Sequence, residues 1–132
     1  MRRYLWFVFP LLLTAACNKS SSVPYITGDW EISEVDGGLA GRINYPPGNG
    51  SGIRFDADGR FIVTSVGNQR TIRDSGTYSL MWTANRADLL FLTFKQDLLV
   101  TDSVRVASDK LFISRPYSCC DMPYLEIYNR KP

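Results

Sequence analysis

From Asp29 onward, apolar and polar positions alternate in short runs broken by Gly, Asp and Pro. Alternation with a period of two is the mark of strands buried on one face. In Asp29 to Val35, Trp30 and Ile32 share one face and Asp29, Glu31 and Ser33 the other. Gly52 to Asp56 and Arg60 to Val66 turn Ile53, Phe55, Phe61 and Val63 inward. Ala57-Asp58-Gly59 between them reads as a hairpin loop, because glycine accepts the positive φ that tight loops require. Thr71 to Trp82 places Gly76, Tyr78, Leu80 and Trp82 on one side. Leu89 to Lys95, Leu98 to Val106, Lys110 to Arg115 and Tyr124 to Arg130 complete the series. Most connections are turn-length, the exceptions being Pro116 to Pro123 and the glycine-rich stretch from Asp36 to Ser51 with Pro46-Pro47, which is expected to hold no regular element. No run shows a capped amphipathic helix. About eight strands joined mainly by hairpin loops predict an all-β fold: an eight-stranded antiparallel up-and-down barrel, with an open sandwich as the competing architecture. Closure removes the exposed edges that aromatic-rich strands would otherwise present.

The N-terminal segment breaks this pattern. Arg2 and Arg3 precede an apolar run, Tyr4 to Leu13, interrupted only by Pro10 and too short for a spanning helix of about 20 residues. Leu13-Thr14-Ala15-Ala16-Cys17 then resembles the bacterial lipobox. The resemblance implies a signal peptide over residues 1–16, palmitate-type acylation of Cys17, a lipidated tether over 17–27 and a barrel over 28–132. An ordinary signal peptide or an uncleaved anchor, with an incidental cysteine, is the alternative. Asn18 follows the cysteine where some lipoproteins carry a retention Asp, so the resemblance implies the outer membrane, with the anchored domain facing the periplasm.

Charge changes the picture once that segment is set aside. The 132-residue chain has 15 Lys+Arg against 13 Asp+Glu; losing Arg2 and Arg3 leaves 13 against 13. A neutral domain argues against a nucleic-acid partner, which would require a basic face. The absence of histidine excludes Ser-His-Asp and Cys-His sites in cis and most zinc sites. Asp56-Ala57-Asp58-Gly59 opens like a calcium loop but lacks the further oxygen ligands and distal Glu, so it reads as a turn. No carboxylate pair stands out for acid–base work. Neither metal, cofactor nor enzymatic activity is expected.

Two end motifs sharpen the barrel. Gly28-Asp29-Trp30 and Tyr128-Asn129-Arg130 look like the Gly-x-Trp opening and basic last strand of calycins, the lipocalins and their relatives. The resemblance implies that Arg130 packs across Trp30 and shuts one end. The segments Phe55-Asp56-Ala57-Asp58-Gly59-Arg60-Phe61, Gly76-Thr77-Tyr78 and Leu111-Phe112-Ile113 are also similar to those of small lipocalin-like lipoproteins of Bacteroides-type bacteria. What this implies is non-enzymatic binding of a small apolar or amphipathic ligand at the end opposite the Trp30–Arg130 pair. The chain is shorter than full-size lipocalins and has no C-terminal helix, so a barrel filled by its own side chains competes with an open cavity.

Leu39, Ile43, Tyr45, Pro46 and Pro47 in the first connection are the candidate ligand or partner loop, and Tyr78, Trp82, Phe91, Phe94, Tyr124 and Tyr128 are candidate pocket aromatics. The alternative function is a protein-interaction module, an inhibitor of a hydrolase or an accessory subunit of an outer-membrane complex, using this loop and 116–123. Cys119 and Cys120 are adjacent. Their Cα atoms, about 3.8 Å apart, fall short of the usual disulfide span of about 4.4–6.8 Å, so a vicinal bond between them would be strained. Unreactive thiols, a vicinal disulfide and an intermolecular bond or metal contact all remain open for the pair.

Overall fold

The computed structural model describes residues 25–38, 41–81, 88–115 and 124–132. Within them the alternating runs form nine strands: β1 (Gly28–Asp36), β2 (Arg42–Asn44), β3 (Gly52–Phe55), β4 (Arg60–Val66), β5 (Thr71–Met81), β6 (Asp88–Phe94), β7 (Leu99–Ala107), β8 (Lys110–Arg115) and β9 (Tyr124–Arg130). Eight of them, β1 and β3 to β9, pair antiparallel in chain order, and β1–β9 pairing closes the ring. The fold is a closed eight-stranded up-and-down barrel.

β2 corrects the expectation that the first connection is irregular throughout. Glu34, Val35 and Asp36 pair with Asn44, Ile43 and Arg42. The strand is short and wholly exposed, so it has no inward face and no alternation to betray it. Arg42 reaches Glu34 at 3.0 Å and Asp36 at 3.5 Å. The rest of the connection folds back on β1. Gly48 and Gly50 donate backbone N–H groups to the Glu31 carboxylate, and the Asn49 side chain donates to the Ile32 carbonyl.

The inward positions are Trp30, Ile53, Phe55, Phe61, Tyr78, Leu90, Leu92, Val104, Leu111, Ile113 and Tyr128, which with Ile26 form one core. Aromatic edges meet faces inside it, Phe55 on Tyr78 at 4.9 Å and Phe61 on Phe94 at 5.0 Å. Gly76 shares the inward phase of Tyr78 because nothing larger fits. A Cβ there would lie 1.9 Å from the Thr93 carbonyl oxygen and 2.9 Å from the Phe61 ring. Such a glycine lets the long β5 bend around the barrel.

One end of the ring is a floor. The Arg130 guanidinium lies 4.2 Å over the Trp30 ring and donates to the Thr27 carbonyl. Trp30 Nε1 donates to the Ile26 carbonyl at 2.7 Å, and the Tyr25 hydroxyl donates to the Asp88 carboxylate. β1 and β6 stand on opposite sides of the ring, so residues 25–27 lie across it. At the other end, β1 bulges between Ile32 and Glu34. The bulge turns Val35 rather than Glu34 inward and parts the upper half of β1 from β3. That parting opens a mouth.

Candidate ligand site at the barrel mouth

The mouth holds a cavity of about 200 Å³. It is lined by Ile32 of β1, Tyr45 and Ser51 of the first connection, Gly52 of β3, Val63, Thr64, Ser65 and Val66 of β4, and Glu126 and Tyr128 of β9. Each arrives there for a local reason. Ile32 precedes the bulge and keeps the inward phase of Trp30; Val63 continues the phase of Phe61; Glu126 and Tyr128 continue that of Arg130. Tyr45 is held by its own backbone N–H, which donates to the Ser33 carbonyl at 2.9 Å.

Behind the cavity lies a charge network. The Tyr128 hydroxyl donates to Glu126 Oε2 at 2.7 Å. Arg115 stands 3.6 Å from the same carboxylate and 3.5 Å from Asp102. Asp102 is 1% exposed, and neither of its carboxylate oxygens has a hydrogen-bond partner. Burial pushes the Asp102 carboxyl above its ordinary range, opposed by the Arg115 charge and assisted by that of Glu126. Burial alone would lower Arg115, yet the Glu126 and Asp102 carboxylates outweigh it and hold the guanidinium above its usual value. Burial first, then the charge and hydrogen bond of Glu126, push the Tyr128 phenol far above its ordinary value.

Sequence reasoning missed this network. The signal was present: Asp102 occupies the inward phase of Val100, Val104 and Val106, the wrong place for a carboxylate in a half-buried strand. Of the loop candidates, Tyr45 lines the cavity and Ile43 lies exposed on β2. Pro46 and Pro47 are exposed, and Leu39 lies outside the described residues. Of the aromatics, Tyr128 lines the cavity, Tyr78 and Phe94 belong to the core, Phe91 takes the opposite phase to Leu90 and Leu92, and Tyr124 stands exposed at the rim. Cys17, Trp82, Cys119 and Cys120 also fall outside the described residues.

The rim carries exposed apolar side chains among polar ones such as Asn68, Arg70, Lys95 and Asp97. Of the seven exposed large apolar side chains among the described residues, Ile43, Val66, Ile72, Leu98, Leu99 and Tyr124 stand at the mouth end, and Met81 alone at the floor. Such residues scattered singly mean little, and here six of the seven share one end of the barrel. A wider furrow of about 280 Å³ runs along the outer wall beside Arg54, Arg73 and Lys131. Arg54 is already paired with Asp56 at 2.8 Å, and Lys131 sits 3.9 Å from Glu31. Two of the furrow's three basic side chains are thus already engaged by carboxylates, so the mouth is the stronger candidate.

A closed eight-stranded antiparallel barrel with a Trp–Arg floor and a cavity at the far end is a lipocalin-like fold. Comparison with family models and with curated proteins finds no match for the chain.

Proposed function

We propose that this protein is a lipid-anchored binding module that takes a small apolar or amphipathic ligand at the barrel mouth, without catalysis. The observation that carries this reading is the cavity in which Ile32, Val63, Val66, Tyr45 and Tyr128 meet Ser51, Thr64, Ser65 and Glu126. That mixture is the usual make-up of small-molecule sites. Its volume of about 200 Å³ lies below the roughly 300–1,000 Å³ of drug-sized pockets, which limits the occupant to a small molecule or one end of a longer one. The exposed apolar side chains at the rim give the remainder of an amphipathic ligand somewhere to lie. Acylation at Cys17 would hold the module on the outer membrane, facing the periplasm.

Mass spectrometry of the purified protein, intact and after organic extraction, tests both halves. A small amphipath released in stoichiometric amount, and an acylated N-terminus at Cys17 that is lost in Cys17→Ser, are the expected results. A barrel that yields no small molecule and leaves a neutral apolar fluorescent probe unbound would overturn the binding reading.

A further inference from the structure

We propose that the mouth takes its ligand head first and that the head is an ammonium group on a short apolar chain, a deepening that rests on the mouth being a ligand site at all. Glu126 is the one charged residue among those lining the cavity, and the rings of Tyr45 and Tyr128 line it too. A carboxylate flanked by tyrosines is the chemistry that recognises organic ammonium ions, through charge and through the negative faces of the rings.

The network behind Glu126 has the matching deficit. A single guanidinium, Arg115, is shared by two carboxylates, at 3.5 Å and 3.6 Å, and the deeper one, Asp102, has both oxygens without a hydrogen-bond partner. An ammonium seated against Glu126 supplies the missing positive charge and frees Arg115 to favour Asp102. A carboxylate or phosphate head would instead face Glu126 with no cation in the cavity wall to receive it. The direction of entry follows from the same layout. Glu126 and Asp102 are buried, whereas Val66, Ile72, Leu98 and Leu99 stand exposed at the mouth end, where a chain leaving the cavity would rest.

The test is calorimetric titration of the full anchored protein in phosphatidylcholine vesicles, read against protein-free vesicles. Three probes of matched length are used: pentyltrimethylammonium, hexanoate and 1-hexanol. The cation is expected to bind at least about tenfold tighter than the carboxylate, the like-charge contact being the costly one. Glu126→Gln should erase that preference, read as the ratio of the cation's affinity to hexanol's. Tyr45→Leu, on a connection outside the barrel wall, serves as the second variant and should lower the same ratio. Hexanoate binding as well as or better than the cation, with hexanol bound, would overturn the ammonium inference and leave the mouth as a ligand site. Failure of all three probes to bind would overturn both.

Discussion

Two carboxylates on opposite sides of the barrel wall answer pH in opposite senses. Glu31 is held below its ordinary range first by the Gly48 N–H, with Gly50 and Lys131 adding to it. A depressed carboxyl contributes stability that is present above its unfolded pKa and lost as pH falls through the folded one. Glu31→Gln should therefore cost about 1 kcal/mol near neutrality, the scale of a partly screened charge-assisted hydrogen bond, and little in acid. Asp102 is raised, chiefly by burial. Its contribution is complete below the ordinary aspartate range and disappears as pH rises through the raised value, above which its buried charge is a liability. Asp102→Asn keeps the shape, discards the charge and leaves Arg115 paired with Glu126 alone. It should melt higher than wild type at pH above that value, with the advantage vanishing in acid. Thermal melts of both variants across pH check the two signs together.

At the scale of elements, two hairpins share a loop design that the chain fills with different residues. Between β3 and β4, Asp56 N–H donates to the Arg60 carbonyl and Gly59 N–H to the Asp56 carbonyl. Between β6 and β7, Phe94 N–H donates to the Leu98 carbonyl and Asp97 N–H to the Phe94 carbonyl. Gly59 at φ +85° and Asp97 at φ +57° hold the same left-handed position. Glycine takes that conformation freely, whereas aspartate tolerates it at some cost. Asp97→Gly should raise stability by about 0.5 kcal/mol and Gly59→Ala should lower it by about 1–2 kcal/mol. Urea midpoints should shift accordingly with unchanged slopes.

These hairpins also show what could be read from the chain. Strand phase was legible wherever an apolar face alternated, from Trp30 to Tyr128, and Asp58-Gly59 announced its own turn. β2 was not legible, because three exposed residues leave no periodic trace. The mouth was legible only in part. Tyr45 belonged to a loop already singled out, but its place beside Ile32 in the cavity lining depends on the β1 bulge and on hydrogen bonds from Gly48 and Gly50 to Glu31. Contacts of that kind join positions 17 to 19 apart in the chain, beyond any local pattern.

The barrel has a polarity, a floor at one end and a mouth at the other, that would set its orientation on the anchor proposed at Cys17. Tyr25, Ile26 and Thr27 lie across the floor through their bonds to Asp88, Trp30 and Arg130. If Cys17 carries the acyl chains, the few residues between it and Tyr25 tie the floor to the membrane and turn the mouth away. β5, with 11 residues, sets the height: at about 3.3 Å per residue and a tilt of about 35–45°, the two ends stand roughly 25–30 Å apart. Energy transfer to a lipid-borne acceptor can resolve that difference. A donor on Ala57→Cys, in the floor-side loop between β3 and β4, should transfer strongly. The same donor on Leu98→Cys, at the rim, should transfer weakly, both in a Cys119→Ser, Cys120→Ser background and in vesicles holding the acylated protein. Equal transfer from the two positions would mean that the barrel lies flat on the membrane, and stronger transfer from Leu98 that the rim is what touches it. In the second case the mouth would receive its ligand from the bilayer.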